Sequence, residues 1–214
     1  MLGKATADGN YVGVVPDLGR FIAGRLGVSY AAVRYPTPTA FNASIGKGEW
    51  DVCVAAHTAP FTDMLDLADF MVAEYRYAAR AGRSFADVAS VDRAGVKVGV
   101  PGNTPIDAFL SSHLQAAQVV RIQAGEEFAI EALRRGDVDV FGDNGLATSE
   151  IAKDVAGATI VPGTFNTVAF AFGLPKGRSA AAQSRLSGIV NDAVASGLVQ
   201  RAIVAAGLIG VRVR

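Results

Sequence analysis

The sequence predicts an α/β fold, on three observations. Apolar runs of strand length alternate with segments of helical apolar spacing along the whole chain. Half of the 214 residues are hydrophobic and 19% are charged, a globular composition with enough apolar side chains for a core. Gly, Pro, Asp and Asn punctuate the joints between the runs. Such alternation implies largely parallel sheets flanked by helices.

The elements follow in order. Pro16 and Asp17 open a helix whose face carries Leu18, Phe21, Ile22 and Leu26, and Gly27 stops it. Val28 to Tyr35 reads as a strand ending at Pro36, and Thr39 to Ile45 as a short helix. A turn at Gly48-Glu49-Trp50-Asp51 leads into an apolar strand over 52–56. Residues 70–80 form a long extended run, and Ser84 to Val91 a short helix. A strand over 96–100 reaches the turn Pro101-Gly102-Asn103-Thr104-Pro105 and a helix with Ile106, Phe109, Leu110 and Leu114 on one face. Val119 to Ile122 is a strand, Glu126 to Arg135 a helix closed by Gly136, and Val138 to Phe141 a strand. Gly142-Asp143-Asn144-Gly145 is a polar turn before a helix over 149–155. Thr167 to Leu174 is a second long extended run. A helix over about 180–198 and a shorter one near 202–206 end the chain. The two extended runs bracket a middle α/β block. By pattern alone this is either one continuous sheet or two lobes joined by two crossings.

Lys plus Arg number 20 and Asp plus Glu 20, so the net charge is zero and no basic excess points to nucleic acid. No apolar run is long enough for a membrane-spanning helix. Met1 leads directly into polar, Gly-containing sequence without an apolar leader, so the chain reads as cytoplasmic, a mature form, or truncated at its start. The single cysteine, Cys53, lies in an apolar run and reads as a buried strand residue. Two distant histidines and one cysteine do not make a metal site, and no cofactor motif is present.

Certain motifs occur in a telling order. Gly13-Val14-Val15-Pro16-Asp17-Leu18 precedes Arg25-Leu26-Gly27-Val28, Gly48-Glu49-Trp50-Asp51-Val52 and Leu65-Asp66-Leu67. Then come 91–100 (VDRAGVKVGV), 132–140 (ALRRGDVDV) and Leu174-Pro175-Lys176-Gly177-Arg178. The series resembles the extracytoplasmic solute-binding proteins of ABC transporters, in the branch that binds polar amino acids. That resemblance implies a type II periplasmic-binding-protein (Venus flytrap) fold with a two-strand hinge. Lobe 1 would comprise residues 1–77 and 170–214, and lobe 2 residues 78–169. It also implies a periplasmic location, a small-molecule solute bound in the interlobe cleft, permease membrane subunits as partners, no cofactor and no metal.

Loops at the carboxyl ends of strands are the expected contact points. After strand 52–56 these are His57, Thr58 and Phe61. The family has a Thr and then a carboxylate-binding Arg here; Thr58 takes the first place and Phe61 the second, so the clamp Arg is absent. Asn103 and Thr104 precede a helix, where free N–H groups favour an anion; a plain turn and cap is the alternative. Asp143 or Asn144 stands where the family places an acidic residue for the ligand's amine; a solvated turn is the alternative. Tyr75, with Glu74 and Arg76, lies on the first crossing. Trp50 reads as packing and His113 as non-functional. The family also begins with a strand ahead of the segment matching Ala7-Asp8-Gly9-Asn10, and this chain starts too late to hold it. An open lobe 1 of that kind favours self-association into a homo-oligomer. Two other functions share the fold: a periplasmic dehydratase, for which Glu126, Glu127 and Asp143 are the candidate acids, and the ligand-sensing domain of a regulator. No catalytic motif is present, so binding without chemistry is the expectation.

Overall fold

A computed structural model describes residues 3–6, 10–35, 38–123 and 125–214. Ala7-Asp8-Gly9 and Pro36 lie outside the described residues. The chain divides into two compact units: Met1–Val72 with Val168–Arg214, and Ala73–Thr167. Each has its own apolar core, and each buried cluster draws on one unit alone.

In the first unit, β1 (Lys4–Ala5) pairs antiparallel with β2 (Tyr11–Val12). Helix α1 (Val14–Leu26) follows the N-cap Gly13 and so begins slightly before the expected Pro16, because Pro16 fits within a first turn whose N–H groups lack helical partners. Gly27 caps it in the left-handed conformation. Its buried face, Val14, Leu18 and Ile22, packs with Phe70, Phe172 and Leu186. The strand expected over 28–35 is absent. These residues have strand-forming side chains but no backbone ladder, leaving Val28 61% and Val33 50% exposed, with Tyr30 held under the guanidinium of Arg20. After α2 (Pro38–Ser44) come β3 (Cys53–Ala56) and the single turn α3 (Ala59–Thr62). Strand β4 (Leu65–Ala79) runs for 15 residues from the first unit into the second. The chain returns through β9 (Asn166–Pro175), which lies between β3 and β4. The expected terminal helix is two, α7 (Ala180–Ala195) and α8 (Leu198–Ala205), broken at Gly197. Strand β10 (Val211–Val213) then pairs with β4.

The second unit holds β5 (Lys97–Pro101), α4 (Pro105–His113), β6 (Gln118–Ile122), α5 (Glu126–Arg135), β7 (Val140–Asn144), α6 (Gly145–Asp154) and β8 (Thr159–Ile160). Its strand order is β4-β7-β5-β6, with β8 also on β4. Parallel pairing is found in the β5–β6 and β5–β7 ladders; β3–β9, β4–β7 and β4–β8 are antiparallel, because the long crossings enter against the direction of their neighbours. The helix expected over 84–91 shrinks to a 3₁₀ turn, Ala89–Val91. Asp87 and Ser90 bond to each other's backbone N–H groups, a local alternative to a helix. The expected polar turn at 142–144 is instead the end of β7, and α6 starts at Gly145 rather than 149.

Candidate functional site

The first unit supplies the residues after β3. The N–H of His57 extends the ladder to the carbonyl of Ala169, and its Nδ1 lies 2.6 Å from Oδ1 of Asp69. Thr58 is the N-cap residue of α3, although its side chain makes no cap bond. Phe61 packs with Trp50, Tyr35 and Phe41 rather than standing free, its ring centroid 6.1 Å from that of Phe41. A cavity of about 340 Å³ is lined by His57 together with Asp66, Lys176, Gln183 and Ser187. The Asp66 carboxylate is met there by Lys176 Nζ and Gln183 Nε2, both at 2.7 Å.

In the second unit, the loop before α4 is built around one buried acid. Asn103 adopts a left-handed conformation, φ 60°. Its N–H donates to Asp107 Oδ2 at 2.9 Å, so the chain's own carboxylate takes a donor that the sequence assigned to a ligand anion. Thr104 Oγ1 accepts from the N–H of Asp107 and donates to the carbonyl of Pro101, the helix-cap arrangement. Asp107 also receives Ser111 Oγ and Arg121 Nε, and the Arg121 bond, ahead of the other effects, holds its carboxyl below the usual range. The signal for Asp107 was legible: Thr104-Pro105-Ile106-Asp107 has the spacing of a capping pair.

The end of β7 is arranged differently. Pairing with β4 sets Tyr75 opposite Asn144 and Arg76 opposite Asp143. Adjacent strand residues ordinarily point to opposite faces, but Asn144 ends β7 and caps α6, and its side chain turns back to that of Asp143. Asn144 Oδ1 caps α6 through the N–H of Ala147. Asp143 Oδ1 accepts from the N–H and the Nδ2 of Asn144, at 2.6 and 3.0 Å. Burial is the main influence on Asp143 and raises its pKa, with the charge of Glu126 acting the same way. Tyr75 is half-buried, 6.2 Å ring to ring from Phe165, and burial raises its pKa too. Among the described residues, no group of three or more His, Cys, Asp or Glu could hold a metal ion, and no helix is long and apolar enough to cross a membrane.

The chain has the two-unit α/β fold of substrate-binding proteins, as its likeness to solved structures shows. A mutant of the ArgBP of T. maritima matches with TM-score 0.69 at 19% identity, over 96% of this chain and 90% of that one. The amino acid ABC transporter substrate-binding protein AbpA from Streptococcus pneumoniae, bound to L-arginine, matches with TM-score 0.69 at 18% identity, over 94% and 87%. An ancestral amino acid-binding protein, a precursor of cyclohexadienyl dehydratase, matches with TM-score 0.71 at 17% identity, over 95% and 88%. No family model matches the chain, and no curated relative does.

Proposed function

We propose that this protein binds a small polar solute, amino acid-like or a small organic acid, for uptake by an ABC transporter. It would act in the periplasm and hand the solute to permease membrane subunits, with each unit serving as one lobe. The observation that carries this reading is the fold match over about 95% of the chain to proteins whose names record amino acid binding. The residues we assign to the solute are His57, Thr58 and Phe61 in the first unit and Tyr75, Asn103, Thr104, Asp143 and Asn144 in the second. Thr104 and Asn144 also cap helices, so Tyr75 and His57 are the better residues to vary. The test is thermal unfolding of the purified chain against amino acids, small organic acids and polyamines, with calorimetry on any hit. A solute present at 100 times its Kd stabilises the native state by about 2.7 kcal/mol. We expect a saturable shift that His57→Ala and Tyr75→Ala weaken. A folded sample that responds to no solute would sink the reading.

Dehydratase chemistry is the second reading. It is supported by Asp143, whose burial favours the protonated form required of a general acid, and by the dehydratase precursor among the matching folds. Turnover of prephenate-like acids, lost in Asp143→Asn, would replace the binding reading with the catalytic one.

A further inference from the structure

The two end strands of the sheet are guarded to different degrees. Strand β6 carries Gln118 and Arg121, and a charged side chain on an edge strand discourages further pairing. Strand β3, at the other end, pairs with β9 and reads Cys53-Val54-Ala55-Ala56, without charge, proline or glycine. The bond from the N–H of His57 to the carbonyl of Ala169 marks that pair as hydrogen-bonded, so by alternation Ala55 and Cys53 also bond to β9. Val54 therefore turns its N–H and C=O outward, and neither meets a partner among the described residues. Val52 and Val54 are only half-buried, at the margin of the core that α1 covers. The exposed Val28 and Val33 lie at this end too. Their segment leads from α1, packed on one face of the sheet, to Tyr35, packed with Cys53 and Ala55 on the other, and so rounds β3. Charges flank the strand: Asp51, 91% exposed and bonded to Arg178, precedes it, and His57, bonded to Asp69, follows it. Each end of β3 thus holds one acid and one base.

We propose that β3 is the interface of a homodimer, pairing antiparallel with the β3 strand of a second copy across a two-fold axis at Val54. A two-fold interface needs a patch complementary to itself, and this edge is one. Each Val54 N–H meets the carbonyl of Val54 of the partner subunit, which satisfies the outward donor and acceptor together. Asp51 then stands opposite His57 of the partner subunit. The Asp51–Arg178 pair of one copy thereby faces the His57–Asp69 pair of the other, and each acid meets a base. The half-buried Val52 and Val54 of both copies line up in one apolar row that continues the core across the axis. The proposal goes beyond the solute-binding reading and does not depend on it.

The experiment uses the full chain, labelled with ¹⁵N. Sedimentation over a range of concentrations should show a species of twice the 22.1 kDa chain mass. The backbone amide of Val54, open in the monomer, should exchange with solvent ~10-fold or more slowly at concentrations where the dimer forms. Both readouts are taken on the native chain, so neither depends on how a variant folds. Asp51→Lys, a change at an exposed side chain, sets a cation opposite His57 and beside Arg178. It should weaken association ~10-fold or more and leave the circular dichroism of the chain unchanged. Three results overturn the proposal. One is a monomer at every concentration, which leaves the β3 edge to a strand of some other protein. Another is a dimer whose Val54 amide exchanges as fast as in the dilute chain, which assigns the contact to another surface. The third is association that Asp51→Lys does not weaken.

Discussion

Asp107 shows how one side chain can decide what a loop does. It is buried, with three groups donating to its carboxylate from Asn103, Ser111 and Arg121. Replacing it with Ala strands these donors and removes the staple on Asn103, so we expect a loss of about 1–3 kcal/mol in urea unfolding. Because its folded-state pKa is depressed, its charge stabilises the fold above the unfolded value of about 4, and that contribution disappears as pH falls through the folded pKa. Native chain and Asp107→Asn should therefore converge in stability towards low pH; a difference that is unchanged in strong acid contradicts this account. Cys53 gives a second test. Burial pushes its thiol up to about 12, so almost no thiolate exists near neutrality. Iodoacetamide at pH 8 should leave the folded protein unmodified and label it promptly in urea. Cys53 was readable as a buried strand residue from its apolar neighbours. The engagement of Asn103 and Asn144 was not, since the partner of an N–H or an amide is a matter of three-dimensional distance.

At the level of elements, the sequence located most segments because a helix or a strand imposes its own period on the apolar residues. The α5 limits, Glu126 and Arg135, coincide with expectation: acids open it, Arg134 and Arg135 lie in its last turn, and Gly136 closes it. The misreadings arose where neighbours, not period, decide. Residues 28–35 have strand composition without a ladder, and 142–144 have turn composition yet are held extended by β4. Gly197 splits the terminal helix because it adopts φ 72°, a conformation that helical residues on either side do not share. Gly99 on β5 is required for a different reason. A Cβ there would meet Ile122 Cδ1 at 2.8 Å and Phe141 Cδ2 at 3.1 Å. Gly99→Ala should cost about 1–3 kcal/mol by overpacking the sheet, measured by chemical denaturation; a neutral outcome would mean that β6 and β7 yield more readily than a packed sheet should.

For the molecule as a whole, the separation of the cores is the main physical fact. Leu110 is 1% exposed in a cluster with Val98, Val100 and Val140, all within Ala73–Thr167. Leu110→Ala should destabilise by about 2–5 kcal/mol, and in native-state hydrogen exchange the loss of protection should fall on β5, β6 and β7 while β3 keeps its protection. Equal loss in both units would show that they unfold together. What the sequence by itself determined is the α/β class, the two long crossings and the approximate limits of α1, α5 and β5, because these depend on periodicity and on residues that start or stop a local conformation. Only the tertiary structure decided which strands pair, that the crossings run antiparallel to their neighbours, and that Arg76 stands opposite Asp143. Those features depend on register between segments some seventy residues apart, which no local pattern encodes.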